Sequence, residues 1–284
     1  MLDSTLLDFV MEEQNKNAPR RELSFVVGGE VNIRQDPWWW LVVAVAAIIV
    51  LLVILWPVPF REIVLFARDG ILVTILVTVA SYFLIVILGL LGGLGRLSKN
   101  KLIFGISSLY VEVVRGIPLL VQLIGWYFAS PVIIQKLGLW LNSQPLIEYR
   151  ANPIITAIMA ITVCYGAYMS EIYRAGIQSI QKGQMEAARS LGMTYIQAMR
   201  YIILPQAVRV ILPPVGNEFI SLLKDSSLVS QVAIADLTRL GREYAGAHYI
   251  SIPVWTMVAL IYLVMTLFSA RVVSWIERKT RTER

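Results

Sequence analysis

The stretch Gly183–Pro205 reads GQMEAARSLGMTYIQAMRYIILP. It sits between two long apolar runs, at about 153–173 and 202–223, yet it is rich in small residues and dotted with charge. Its local physics writes helix–Gly–helix. Gly183 fits an N-cap, which places Glu186 at the third helical position, where a carboxylate suits the helix dipole. Met185, Ala188 and Leu191 fall on one helical face. Gly192 fits the position just past a helix end, where the chain turns left-handed. Thr194 and Gln197 have the spacing of a capping box. Ile196, Met199 and Ile203 continue an apolar face, and Pro205 stands near the start of the next run. Ala187, Ala188 and Ser190 leave the first helix thin. A thin amphipathic helix outside the membrane suits a groove in another protein. The competing reading, a helix lying on the lipid surface, calls for larger apolar residues and a strongly basic face.

The apolar runs set the class. Of 284 residues, 57% are hydrophobic and 15% charged, against roughly 25% charged in a soluble domain. Runs of membrane length recur, so the chain is expected to be an all-α integral membrane protein with about six spans of roughly 20 residues each. A barrel would alternate over segments of about 10 residues, whereas these runs are continuous. The net charge of +6 comes from Lys and Arg in short loops beside spans, the pattern of cytoplasmic loops rather than of a nucleic-acid surface. Cys164 and His248 are the only residues of their kinds. That excludes an internal disulfide, a cysteine metal site and a two-histidine metal site.

Along the chain, residues 1–36 read as a polar tail, and 37–58 hold a first span, about Trp38–Trp56, with Trp38, Trp39 and Trp40 as an interfacial belt. A short loop carries Arg61, Glu62, Arg68 and Asp69. A second span is expected over 71–94, where Gly89 and Gly93 form a GxxxG that lets helices approach closely. An amphipathic helix over 104–114 follows, broken at Gly116-Ile117-Pro118. Spans at 117–134, 153–173, 202–223 and 253–276 come next, with Pro118 in the first turn of one of them. Residues 135–152 and 224–250 read as loops, and 277–284 as a basic tail. Placing both termini in the cytoplasm puts Arg96, Lys99, Lys101, Arg174, Lys182, Arg189 and Arg200 on the same side, which satisfies the positive-inside rule.

The spacing Glu186-Ala187-Ala188, Gly192, Ile202, Leu204, Pro205 resembles the EAA hallmark of ABC importer permeases. Further segments resemble the polar amino acid (histidine/glutamine-type) subfamily: YVEVVRGIPLLVQL at Tyr110–Leu123, AYMSEIYRAGIQSIQKGQ at Ala167–Gln184, LPPVGNEFISLLKDSSLVS at Leu212–Ser230 and IADLTR at Ile234–Arg239. The resemblance covers about Gly70 to the end. It implies a five-span type I importer core over 70–276, with one extra N-terminal span. It implies coupling helices at about 182–201 seated in a cytoplasmic ABC ATPase, with Glu186, Ala187, Ala188, Gly192, Leu204 and Pro205 as the coupling residues. It further implies a second permease subunit, identical or paralogous, an extracytoplasmic substrate-binding protein, a polar amino acid substrate and a bacterial cytoplasmic (inner) membrane. No GxxxxGK[S/T] occurs in the sequence, so ATP-Mg is expected on the partner ATPase and no cofactor on this chain.

Charges near spans are the candidates for a substrate pathway, because a charge at the bilayer centre costs about 2.5–3.5 kcal/mol. Glu112 and Arg115, three apart, are placed to pair on one face, as an interfacial ion pair or in the pathway. Glu171 and Arg174 read as a structural pair beside the coupling helices. Asn217, Glu218, Lys224 and Asp225 flank the fifth span, where Pro213-Pro214 and Gly216 loosen the helix; Glu218 offers an acceptor for an ammonium and Lys224 a donor for a carboxylate. Tyr165, Tyr168 and Trp126 read as packing or interface aromatics. The alternative function is an ion-gradient-driven secondary transporter or channel, which calls for inverted repeats or acids in mid-span. A membrane enzyme lacks a nucleophile–base pair or cofactor motif.

Overall fold

A computed structural model describes residues 38–280; the tail expected over 1–36 and the last four residues of the basic C-terminal tail lie outside the described residues. Among the described residues there are helices and turns and no strand. Every backbone polar group in lipid needs an internal partner, and a helix supplies one within its own segment. Helix α1 is Trp39–Leu55, α2 Pro57–Arg96, α3 Lys101–Arg115, α4 Leu119–Leu141, α5 Gln144–Ile147 and α6 Pro153–Gln178. Then come α7 Lys182–Ser190, α8 Tyr195–Ala198, a π-helical turn Met199–Ile203, α9 Leu204–Asp225, a 3-10 turn Ser226–Gln231, α10 Leu237–His248 and α11 Ser251–Thr280.

Four helices, α2, α4, α6 and α11, are long and apolar enough to cross a membrane. The other two expected spans are shaped by different limits. Helix α1 is apolar but has 17 residues, and α9 has 22 residues but carries the charged residues Arg209, Glu218, Lys224 and Asp225. The expected loop around Arg61–Asp69 is instead helical, because α2, kinked at Val58, runs unbroken from there to Arg96. At 1.5 Å per residue that stretch is ~57 Å, nearly twice the ~30 Å of a bilayer core. The physical reason is tertiary: Ile63 and Ala67 are buried against Leu237, Tyr244 and Met257, so the charged turns still have an apolar face to pack.

Other boundaries move for similar reasons. Helix α4 continues through Pro131 to Leu141, past the expected end at 134, and stops where Asn142 turns left-handed at φ 48°. Pro118 is its N-cap rather than a first-turn residue. The region expected as a polar loop over 224–250 folds into the 3-10 turn and α10. Asp236 caps α10 by accepting from the N–H groups of Thr238 (3.2 Å) and Arg239 (3.0 Å). Burial pushes the Asp236 carboxyl above its usual range, and those N–H donors work against the rise. Pro213 and Pro214 lie inside α9 without ending it.

Helix association in lipid rests on close packing rather than on a hydrophobic drive. Among the described elements, the α2–α6 pair is the most extensive. At its crossing, a Cβ placed on Gly89 would stand 2.4 Å from Met169 Cγ, and one on Gly93 would stand 2.8 Å from Tyr173 Cβ. The expected GxxxG is therefore a real close approach, and its partner is α6. One core gathers Val77, Ile85, Leu123, Ile161, Met169 and Leu222. A second lies at the end of the bundle away from Gly183–Pro205 and joins α2, α10 and α11, with Ile49, Leu52 and Val53 of α1 packed against it. Among the described elements, α1 packs chiefly on α11 and α2.

Candidate functional site

The stretch between α6 and α9 folds as helix–Gly–helix. Its start differs from the sequence expectation. Gln181 is the N-cap, with no side-chain bond, and Gly183 lies inside α7. Glu186 is thus fifth in the helix, beyond the first turn. Nothing in the side chain of Gln181 marks it as a cap, and glycine permits a cap without requiring one. The end is as expected. Gly192 sits at φ +83°. The Met193 N–H donates to the Ala188 carbonyl (3.2 Å) and the Gly192 N–H to the Arg189 carbonyl (3.0 Å), which is a complete Schellman closure. Thr194 and Gln197 form the capping box: the Gln197 N–H reaches Thr194 Oγ1 at 3.3 Å, and the Thr194 N–H reaches Gln197 Oε1 at 2.8 Å. The π-helical turn then leads into α9, where Pro205 has no N–H to continue an α ladder.

The expected single apolar face divides in two. Ala188, Ala198 and Ile203 are buried, while Leu191 is 84% exposed and Ile196 76% exposed. Glu186, Ala187, Gly192, Leu204 and Pro205 are also exposed. Ala188 and Ala198 turn inward, so that α7 can lie against the π-helical turn, while Leu191 and Ile196 stay bare on either side of Gly192, on the segment we term the knob.

Beside this knob, three helix segments meet through charge. Arg96, at the end of α2, donates through Nη1 to Glu171 Oε2 on α6 (2.7 Å) and through Nη2 to Glu112 Oε1 on α3 (3.2 Å). Arg174 binds Glu171 through Nη2 and through Nε (3.0 Å), and reaches Gln178 at the end of α6. The expected Glu171–Arg174 pair is present. The expected Glu112–Arg115 pair is not formed: Glu112 turns to Arg96, and Arg115 lies over the Tyr168 ring at 5.3 Å from its centroid. Spacing along one helix could not reveal Arg96, which arrives from another.

Residues 85–282 match the family described as binding-protein-dependent transport system inner membrane component. The chain belongs to that family. It is 33% identical over 213 residues to the glutamine transport system permease protein GlnP of Escherichia coli (strain K12), covering 75% of this chain and 92% of that one. It is 38% identical over 211 residues to the L-cystine transport system permease protein TcyB of Bacillus subtilis (strain 168), covering 74% and 84%. A solved structure described as an amino acid ABC transporter with histidines matches at TM-score 0.69 and 37% identity, over 78% of this chain and 97% of that one.

In this permease, the candidate pathway residues are only partly assembled. Glu218 is half-buried and within electrostatic reach of Asp225 and Arg115. Asn217 and Lys224 are exposed on α9. Asp225, which the sequence places beside the fifth span without a role, lies seven residues after Glu218 and so on the same helical face. Its carboxylate accepts from the Tyr165 hydroxyl at 2.6 Å, so Tyr165 is more than packing. The break at Gly116-Ile117-Pro118 is held by buried Gln122, whose Nε2 donates to the Val114 and Ile117 carbonyls at 2.8 Å each and to Cys164 Sγ at 3.3 Å. Tyr168 carries Arg115, and Trp126 is exposed. A groove of 480 Å³ between α2, α9 and α11, lined by Ile75, Phe219, Phe268 and Val272, is almost wholly apolar; Glu277 is its charged lining residue, and no cation lines it for a substrate carboxylate. Among the described residues, no group of three His, Cys, Asp or Glu could hold a metal ion.

Proposed function

We propose that this chain is the membrane-spanning permease of an ATP-binding cassette importer for polar amino acids. The single observation that carries the coupling role is the knob: a Schellman-closed helix that presents Leu191 and Ile196 to solvent beside Glu186 and Ala187. Its partner in this reading is a cytoplasmic ATPase that binds ATP-Mg, since this sequence holds no P-loop. Glu186, Ala187, Ala188, Gly192, Leu204 and Pro205 are the coupling residues, and both termini are cytoplasmic. A second permease subunit, identical or paralogous, completes the pore, and an extracytoplasmic binding protein delivers the substrate. The two relatives named above carry glutamine and cystine in their names, which supports an amino acid substrate here.

The motion is a rigid-body one: nucleotide closes the ATPase pair, the knobs move with it, and the spans rock between two openings. Glu218 and Asp225 supply acceptors for the substrate ammonium, while Arg115 supplies a donor for its carboxylate, with Asn217 and Lys224 flanking them; Glu112, turned to Arg96, lies outside this group. Reconstitution of the chain in vesicles with an ATPase and a binding protein tests this. ATP-dependent uptake of radiolabelled L-glutamine, L-glutamate or L-cystine is expected. Uptake driven by an ion gradient with no ATPase present rejects the reading.

A further inference from the structure

We infer that Glu112, Arg96, Glu171 and Arg174 form a mechanical joint that ties the coupling knob to α3 and the chain break after it, with Arg96 as the positioning residue. This rests on the importer reading above.

The joint is continuous. Gln178 ends α6 just before α7, and it is held by Arg174. Arg174 holds Glu171, Glu171 holds Arg96, and Arg96 holds Glu112. Four charges of alternating sign thus connect α6, α2 and α3 at the end of the bundle next to the knob. The two ends of this track are built differently. Glu171 is 26% exposed and gripped by two guanidinium groups, so it is an anchor. Glu112 is 71% exposed and touches Arg96 through one contact at 3.2 Å, so it is the part that lets go. Arg96 is 14% exposed, and its Nε is buried with no partner. The guanidinium is therefore held by its two outer nitrogens alone and keeps a spare donor with which to change its grip without leaving Glu171. A fixed anchor, a releasable end and an adaptable middle make a two-state element.

What the joint moves is defined by the neighbours of α3. Helix α3 ends at Arg115, which lies over Tyr168, one turn from Glu171 on α6. Beyond Arg115 comes Gly116-Ile117-Pro118, stapled by Gln122. Tyr110 further ties α3 to α6, its hydroxyl donating to the Val163 carbonyl at 2.7 Å. A shift of the knob pulls α6, and through Arg96 it reaches the helix that carries Arg115 to the pathway face. Helix α1 has no part in this track.

The test uses the full chain reconstituted with its ATPase and binding protein, and reads substrate moved per ATP hydrolysed with radiolabelled L-glutamine, L-glutamate and L-cystine. The expected result for Glu112→Gln is hydrolysis retained and the transport ratio lowered roughly 2- to 30-fold, the span of coupling changes seen for residues between sites. Glu112→Lys, which faces like charges, is expected to lower it further. Arg96→Gln combined with Glu112→Gln is expected to be no worse than Arg96→Gln alone, because losing Arg96 already removes the contact that Glu112→Gln cuts, together with the one to Glu171. A Glu112→Gln ratio equal to wild type, or losses that multiply in the double variant, overturns the joint. Glu112 is exposed, so its variants keep the fold even if Arg96→Gln does not. Absence of ATP-driven uptake in the wild type is a different failure and strikes the importer reading instead.

Discussion

Replacing Gly192 separates two ways in which a glycine can matter. Its φ is +83°, and a Cβ built there meets nothing within 4 Å. Space is therefore not the constraint. The backbone is: a residue with a Cβ pays roughly 1–2 kcal/mol in the left-handed region, and asparagine pays less. At 1.4 kcal/mol per tenfold, that lowers the population of the properly closed turn about 5- to 30-fold. Two bonds depend on that turn, Met193 N–H to Ala188 and Gly192 N–H to Arg189. They fix how Leu191 is presented relative to Ile196. Gly192→Ala and Gly192→Leu are thus expected to reduce ATP-coupled uptake to a similar degree, while Gly192→Asn retains most of it. Gly183→Ala is the control, since Gly183 lies in α7 and its Cβ would also meet open space. The assay is uptake per ATP in reconstituted vesicles. An asparagine variant as defective as alanine, or leucine far worse than alanine, refutes the reasoning, because either result means that bulk rather than backbone angle governs the position.

Other perturbations follow from the packing. Gly93→Ala forces a Cβ to 2.8 Å from Tyr173 Cβ and 2.9 Å from the Ser170 carbonyl, and it should destabilise the chain by about 1–3 kcal/mol; Gly105→Ala, with open space around it, should not, as thermal unfolding midpoints in detergent will register. Gln122→Leu removes the donor to the Val114 and Ile117 carbonyls, for an expected loss of about 1–3 kcal/mol in the same measurement. Glu218→Gln and Asp225→Asn keep shape and remove charge; each should lower amino acid uptake about 5- to 30-fold, a change of roughly 1–2 kcal/mol, with the unfolding midpoint little changed. Tyr244→Phe cuts the 3.0 Å bond to Glu62 at a cost of about 1 kcal/mol and should leave coupled uptake intact, since that contact lies in the cluster remote from the knob.

The local chemistry of Gly183–Pro205 was readable from its residues. A glycine at the helix end and a threonine with a glutamine three residues on each act through bonds to their own neighbours, so Gly192, Thr194 and Gln197 stand where their types demand. The apolar runs likewise announced the long helices, because span length follows from bilayer thickness alone. Helix limits and side-chain partners were a different matter. The charged turns at Arg61–Asp69 are helical because Ile63 and Ala67 find a core built by α10 and α11, and Glu112 passes over Arg115 for an arginine 16 residues earlier in the chain. Bonds within a few residues are set by the order of the amino acids. Which charge meets which, and which apolar side chain stays bare, depends on distances between helices that only their packing fixes.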